Sequence, residues 1–215
     1  MKLFVWDFHG VLEKDNELAV LEITNAILKK FGYKSRLSKE DNYCLTGLKW
    51  YEYFEFLLPN EPYARHLELQ GACISYQTAH PGIVAQHIKP NEHAHEVLEQ
   101  ISQNHDQIVI SNTQPKSLKM FLEAVRIIKF FPSGKSFAAD AHGKDATIRK
   151  HHILDSYLRD KHYEDKIFIG DSAEDIELVS VAGGKTYLYA HRGKSHKEAK
   201  ADFKINDLRE VLKEV

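Results

Sequence analysis

The chain begins Met1-Lys2-Leu3-Phe4-Val5-Trp6-Asp7-Phe8-His9-Gly10-Val11-Leu12-Glu13-Lys14-Asp15. Four apolar residues, Leu3–Trp6, run into an acid. An uninterrupted apolar run this short reads as a strand buried on both faces, the habit of a parallel sheet. Ligands of such sheets bind beyond the carboxyl ends of the strands. The place where each apolar run stops is therefore the informative place, and here it is Asp7, with His9-Gly10 just after it.

The same grammar repeats downstream. Apolar runs end at Ile108–Ser111, Phe137–Asp140, Ile167–Asp171 and Thr186–Ala190. Helical patterns lie between them. Ala94, Val97, Leu98 and Ile101 share one stripe, as do Leu118, Phe121, Leu122 and Val125. The segment Ala146–Leu158 carries Ile148, Ile153, Leu154 and Leu158, and Asp175–Ala182 stops at Gly183-Gly184. Phe203–Ile205 reads as an edge strand followed by a closing helix through Leu208, Val211 and Leu212. Alternation of this kind predicts an α/β domain with a Rossmann-like parallel sheet and helices on both faces.

Residues 15–87 break the alternation. Leu18, Leu21, Ala26, Ile27 and Leu28 fall at helical spacings, and Ser38 with Asp41 three residues on reads as a helix start. That helix is expected to continue through Leu45, Leu48, Tyr51 and Leu58 and to stop at Pro59. The expectation is a small helical domain over 15–87, inserted after the first strand of a core made of 1–14 and 88–215.

Composition narrows the function. With 215 residues, 43% hydrophobic and 28% charged, the chain can bury a sizeable core. A net charge of −2 gives no electrostatic footprint for nucleic acid or an anionic membrane. No stretch approaches a membrane span, and no basic-then-apolar leader precedes the first strand. Cys44 and Cys73 have no metal-like spacing and read as reduced thiols, which fits a cytoplasmic location. Neither His93/His95 nor His151/His152 puts two rings on one helix face. Oligomeric state is not legible.

The strand ends supply Asp7, then Ser111-Asn112, then Gly170-Asp171 with Asp175 four residues later. Lys144 lies in the loop after the third run. Singly, each has a structural explanation. Asp7 can cap a turn, Ser111 or Asn112 can start a helix, and Asp171 and Asp175 suit a helix N-terminus. Together they place a nucleophilic carboxylate, a hydroxyl, an ammonium and two more carboxylates at one sheet edge.

These residues resemble the four motifs of the haloacid dehalogenase-like (HAD) superfamily. Motif one is matched by Asp7-Phe8-His9-Gly10-Val11-Leu12, motif two by Ile108–Asn112, the motif-three lysine by Lys144, and motif four by Gly170-Asp171-Ser172-Ala173-Glu174-Asp175. The resemblance implies the HAD fold and a helical cap domain. It also implies a phosphatase-like hydrolase that takes a small phosphorylated metabolite. Asp7 would be the nucleophile. Asp7, the backbone carbonyl of His9, Asp171 and Asp175 would attend a Mg²⁺ ion. Ser111, Asn112 and Lys144 would hold the phosphoryl group, and Lys144 would stand between Asp7 and Asp175 as counter-charge. In Leu45-Thr46-Gly47-Leu48-Lys49-Trp50 it implies a cap loop in which Gly47, Lys49 and Trp50 meet the substrate.

His9 departs from the pattern, which has an aspartate there as general acid and base. An imidazole can also donate and accept protons. Three readings stay open: a working substitute, a slow enzyme with a persistent aspartyl-phosphate, or a phosphate-binding regulatory protein that has lost turnover. Hydrolase and mutase are not separated by the sequence.

Overall fold

The computed structural model describes residues 1–139 and 148–215. It divides into two compact units, one of Met1–Lys14 with Pro90–Val215 and the other of Asp15–Lys89.

In the first unit, β1 (Leu3–Trp6), β4 (Asp106–Ser111), β5 (Ser136–Ala138), β6 (Lys166–Gly170), β7 (Lys185–Tyr189) and β8 (Phe203–Ile205) form one sheet in the order β5-β4-β1-β6-β7-β8. Every neighbouring pair in it is parallel. The short strands β2 (Glu13–Lys14) and β3 (Lys89–Pro90) make a separate two-stranded sheet.

Alternation along the strands divides the side chains between two buried faces. Leu3, Val5, Ile108, Ile110 and Phe168 pack on one face with Leu154 and Tyr157 of α8 (Lys150–Leu158). On the other, Gln107 donates through Nε2 to the Leu98 carbonyl of α6 (Ala94–Ser102) at 3.0 Å. Helices therefore cover both faces, as the continuous apolar runs predict. β7 leaves the turn after α10 (Val179–Ala182) through Gly183-Gly184. A Cβ on Gly184 would lie 2.1 Å from the Lys166 carbonyl oxygen, so the close approach of that turn to β6 requires glycine. The closing segment differs from expectation: after β8 it is a 3₁₀ helix, Leu208–Glu214, which buries Leu208 and Val211.

The second unit is helical: α1 (Asn16–Lys30), α2 (Lys39–Leu45), α3 (Trp50–Leu57), α4 (Tyr63–Ala79) and α5 (Pro81–His87). Ile23, Ile27 and Leu28 of α1 pack with Phe54, Leu58, Leu69 and Cys73. Ser38 caps α2 as expected, its Oγ accepting from the Asp41 amide at 3.0 Å. The expected continuous helix to Leu58 is broken at Thr46–Lys49. Gly47 sits at φ 96°, left-handed backbone that a helix cannot absorb. Both cysteines are free, Cys44 exposed and Cys73 buried. Among the described residues, no helix is long and apolar enough to cross a membrane.

Candidate active site

Register aligns the strand ends. Trp6 pairs with Val109 of β4 and with Ile169 of β6, and the Asp7 amide donates to the Ile169 carbonyl at 2.9 Å. Asp7 thus leaves the central strand between the ends of its two neighbours, where Ser111 and Asp171 stand. One carboxylate oxygen from each of Asp7, Asp171 and Asp175 falls in a group whose members all lie within 4.8 Å of one another.

Asp175 is placed by a short local device. Ser172 precedes α9 (Ala173–Glu177), and both its amide (3.1 Å) and its hydroxyl (2.5 Å) donate to Asp175 Oδ2. This reciprocal cap turns the other oxygen, Oδ1, inward. There Lys150 Nζ donates to it at 2.6 Å and to Asp7 Oδ1 at 2.6 Å. Lys150 is only 3% exposed, so one ammonium stands between two buried carboxylates. The counter-charge that the resemblance gave to Lys144 is held by Lys150. Lys144 itself lies outside the described residues.

Burial, then the Asp175 carboxylate, push the Asp7 carboxyl up; Lys150 opposes them and Asp171 adds to them, leaving it at about 7. Burial works against the Lys150 ammonium, but Asp175 and Asp7 outweigh that and hold its pKa above the ordinary lysine value. Three carboxylates this close repel one another, and the Lys150 ammonium offsets that repulsion for Asp7 and Asp175.

Two glycines make the room. Gly10 has φ 79°, and a Cβ there would lie 2.9 Å from Asp171 Oδ2. A Cβ on Gly170 would lie 2.0 Å from Asp175 Cβ. Neither position admits alanine without moving a carboxylate.

Ser111 is fully buried, and its Oγ has no partner among the described residues. Buried hydroxyls are ordinarily satisfied, and one left open at a strand end suits an oxyanion acceptor. Asn112 donates from Nδ2 to Glu174 Oε2 at 2.6 Å, while its Oδ1 is buried and unpartnered among the described residues. His9 Nδ1 lies 2.8 Å from Glu13 Oε1. Lys197 Nζ donates to Asp171 Oδ2 at 2.7 Å from an exposed loop.

Gly47, Lys49 and Trp50 belong to the helical unit. The Lys49 amide donates to Glu52 Oε2 at 2.7 Å and so starts α3. The Trp50 indole N–H donates to Thr24 Oγ1 at 3.0 Å, and its ring packs against that unit's core.

Four participants were not singled out by the sequence. Lys150 stands six residues after the lysine given that role; its signal was its place at the head of an amphipathic helix. Glu13 had the signal of an acid four residues after His9. Glu174 lies inside the fourth motif itself. Lys197 carried no signal.

A parallel sheet with helices on both faces, three acids gathered at its carboxyl edge and Lys150 bridging two of them define an α/β protein with an acidic cluster at the strand ends. The match to a family model makes the class specific: residues 4–189 fit the haloacid dehalogenase-like hydrolases, and the chain belongs to that family. Solved structures share the fold over nearly the whole chain. A "predicted phosphoglycolate phosphatase" from Haemophilus somnus 129pt superposes with TM-score 0.76 at 17% identity, covering 99% of this chain and 97% of that one. A HAD-superfamily hydrolase, subfamily IA, from Geobacter sulfurreducens PCA gives 0.71 at 19% identity, covering 99% and 95%. A HAD family hydrolase from Deinococcus radiodurans R1, with bound phosphate and sodium, gives 0.63 at 16%, covering 98% and 92%. At these identities the likeness shows the fold alone. No curated protein is significantly similar in sequence.

Proposed function

We propose that this chain is a Mg²⁺-dependent phosphatase of small phosphate monoesters that works through an aspartyl-phosphate on Asp7. The observation that carries the reading is the convergence of Asp7, Asp171 and Asp175, with Lys150 bridging two of them. The phosphate bound by the Deinococcus relative supports it, as does the phosphatase name of the Haemophilus one.

The donor set fits a hard divalent cation: oxygen ligands only, with room kept by Gly10 and Gly170. Asp7, Asp171, the His9 carbonyl and Asp175 would hold Mg²⁺. When bound, it supplies charge neutralisation between an anionic ester and an anionic nucleophile.

The chain's own residues do the rest. A carboxylate oxygen of Asp7 attacks phosphorus, and the bond from phosphorus to the ester oxygen breaks. His9 gives that oxygen a proton. Water then attacks the phosphorus of the aspartyl-phosphate, His9 takes the water's proton, and inorganic phosphate leaves with Asp7 restored. Ser111 Oγ and the Asn112 side chain donate to phosphoryl oxygens. Lys150 holds Asp7 and Asp175 in place and offsets their charge. Gly47, Lys49 and Trp50, in a helical cap over 15–87, select the leaving group. The protein acts in the cytoplasm on a phosphorylated metabolite.

The test is hydrolysis of p-nitrophenyl phosphate with and without Mg²⁺, from pH 5 to 9. Turnover that needs the cation and disappears in Asp7→Asn is expected. Release no faster than in Asp7→Asn at every pH would leave a phosphate-binding protein in its place.

A further inference from the structure

The loop after β1 contains a second pairing that the four motifs do not account for. The Phe8 carbonyl accepts from the amides of Val11 (3.3 Å), Leu12 (3.0 Å) and Glu13 (3.3 Å). Gly10, at φ 79°, permits this tight reversal, and Glu13 is carried back beside His9. The Glu13 side chain is 2% exposed, whereas that of His9 is 29% exposed. Glu13 Oε1 accepts from the Gly10 amide at 3.2 Å and faces His9 Nδ1 at 2.8 Å. Its Oε2 is buried with no partner among the described residues. A carboxylate buried with one oxygen unsatisfied is costly. A hydrophobic residue of similar size would avoid that cost, so the side chain at 13 needs a reason beyond packing.

An ionised Glu13 has no hydrogen to give, so against the carboxylate it is Nδ1 that donates to Oε1. The ring is also held by two aromatic edges. Phe8 lies 5.0 Å away at 76°, and Phe121 of α7 (Pro115–Ala124) lies 4.9 Å away at 77°. Phe8 in turn stacks on Phe121 at 6.0 Å. The two rings and the Glu13 carboxylate together hold the imidazole, and among the described residues no hydrogen bond engages its Nε2.

We infer that Glu13 is the positioning residue of His9: it keeps hydrogen on Nδ1 and reserves Nε2 for the proton that passes to the leaving oxygen and is taken back from water. The inference rests on the phosphatase reading and deepens it. Through the cycle the Nδ1 hydrogen stays where it is. Nε2–H gives its proton to the ester oxygen as the phosphorus–oxygen bond breaks. Nε2 then takes one from water as the new phosphorus–oxygen bond forms, so the cycle balances. A chain that places imidazole where an acid is usual thus carries, four residues on, the carboxylate that makes the imidazole usable.

Four measurements on the full chain test this. In protein labelled with ¹⁵N-histidine, the His9 signal, assigned by its loss in His9→Asn, should show Nδ1 protonated. Glu13→Leu should lower kcat on p-nitrophenyl phosphate by about 10–100-fold, with KM within about twofold, because orienting partners of histidine have effects of that order. Glu13→Gln, whose amide oxygen accepts from the same two N–H groups, should recover most of that loss. In a His9→Ala background, Glu13→Leu should cost nothing more, since the ring it positions is gone. A merely structural role would lower the melting temperature without moving the His9 signal or the kcat of the folded fraction. The inference is overturned by hydrogen on Nε2 alone. It is equally overturned by a folded Glu13→Leu with unchanged kcat, or by the full loss persisting without His9. If the wild-type chain turns over no phosphate ester, the proposed function fails, and the His9 signal with its response to Glu13→Leu still decides the pairing.

Discussion

At the scale of single residues the site is a contest among like charges, and Lys150 decides it. Removing the ammonium leaves Asp7 and Asp175 buried and unopposed, a change that typically costs about 3–5 kcal/mol. Lys150→Met should therefore unfold at a clearly lower temperature than wild type without divalent cation. Mg²⁺ should raise its melting temperature more than it raises that of wild type, because the cation then does the neutralising alone. Equal shifts in both proteins, by differential scanning calorimetry, would separate Lys150 from the cation site. Asp7 gives a pH signature with a definite sign. Its folded value of about 7 lies above the ordinary aspartate value of 3.8. Below the unfolded value both states hold the proton. Between the two values only the folded state keeps it, so this group's contribution to stability declines as pH rises from about 4 to about 7 and then levels off. Asp7→Asn should remove that decline from the cation-free stability profile. Why the sequence offered Lys144 while the structure sets Lys150 between the two acids is also a residue-scale matter. A strand end fixes Asp7, Ser111 and Asp171 by register, but the lysine comes from beyond a loop, where spacing alone does not distinguish positions 144 and 150.

At the scale of elements, continuous apolar runs revealed the strands well, because a strand buried on both faces has little room for polar residues. Leu3–Trp6, Ile108–Ser111 and the run that ends at Asp171 were recognisable on that ground. Helix continuity was less visible. The apolar spacing across Leu45 to Tyr51 permits one helix, but the backbone leaves helical geometry at Thr46, Gly47 and Lys49. The closing helix was legible but its type was not: a 3₁₀ helix buries its residues at a spacing close to that of an α-helix. What holds that element is electrostatic as well as apolar. Glu214 accepts from Lys185 Nζ at 2.6 Å and from the Tyr187 hydroxyl at 2.7 Å, both on β7. Burial tends to raise the Glu214 carboxyl, but those two hydrogen bonds outweigh it and bring it below the ordinary glutamate value. A lowered folded value means that stability is present above the unfolded pKa and is lost as pH falls through the folded one. Glu214→Gln should therefore destabilise the chain by about 1–3 kcal/mol at neutral pH, the range for hydrogen bonds to a charged group. The difference should shrink as the medium becomes acidic; urea melts at pH 7 and pH 4 measure it. A difference that grows in acid would mean that Glu214 is not the anchor.

At the scale of the whole molecule, the chemistry is divided between sequence-distant parts in a way that mutagenesis can read. Asp7, Ser111, Lys150, Asp171 and Asp175 all belong to the unit of Met1–Lys14 and Pro90–Val215, whereas Gly47, Lys49 and Trp50 belong to Asp15–Lys89. In the proposed function the first set handles the phosphoryl group, which every phosphate ester has in common, and the cation. The second, as proposed, handles what differs between esters. Each set should then fail in its own way. Lys197→Met releases Asp171 from a half-exposed ion pair of the kind worth about 0–1 kcal/mol, so Mg²⁺ should bind up to about fivefold more tightly, by isothermal titration. Lys49→Ala should leave that affinity unchanged. It should instead reorder a panel of phosphate esters, with KM rising by about tenfold for those carrying a second anionic group and little for p-nitrophenyl phosphate, as loss of one charge-assisted contact implies. A Lys49 variant that shifts Mg²⁺ affinity and leaves the substrate order intact would place that lysine's influence in the cation chemistry. Leaving-group choice would then have to come from loops of the sheet unit itself.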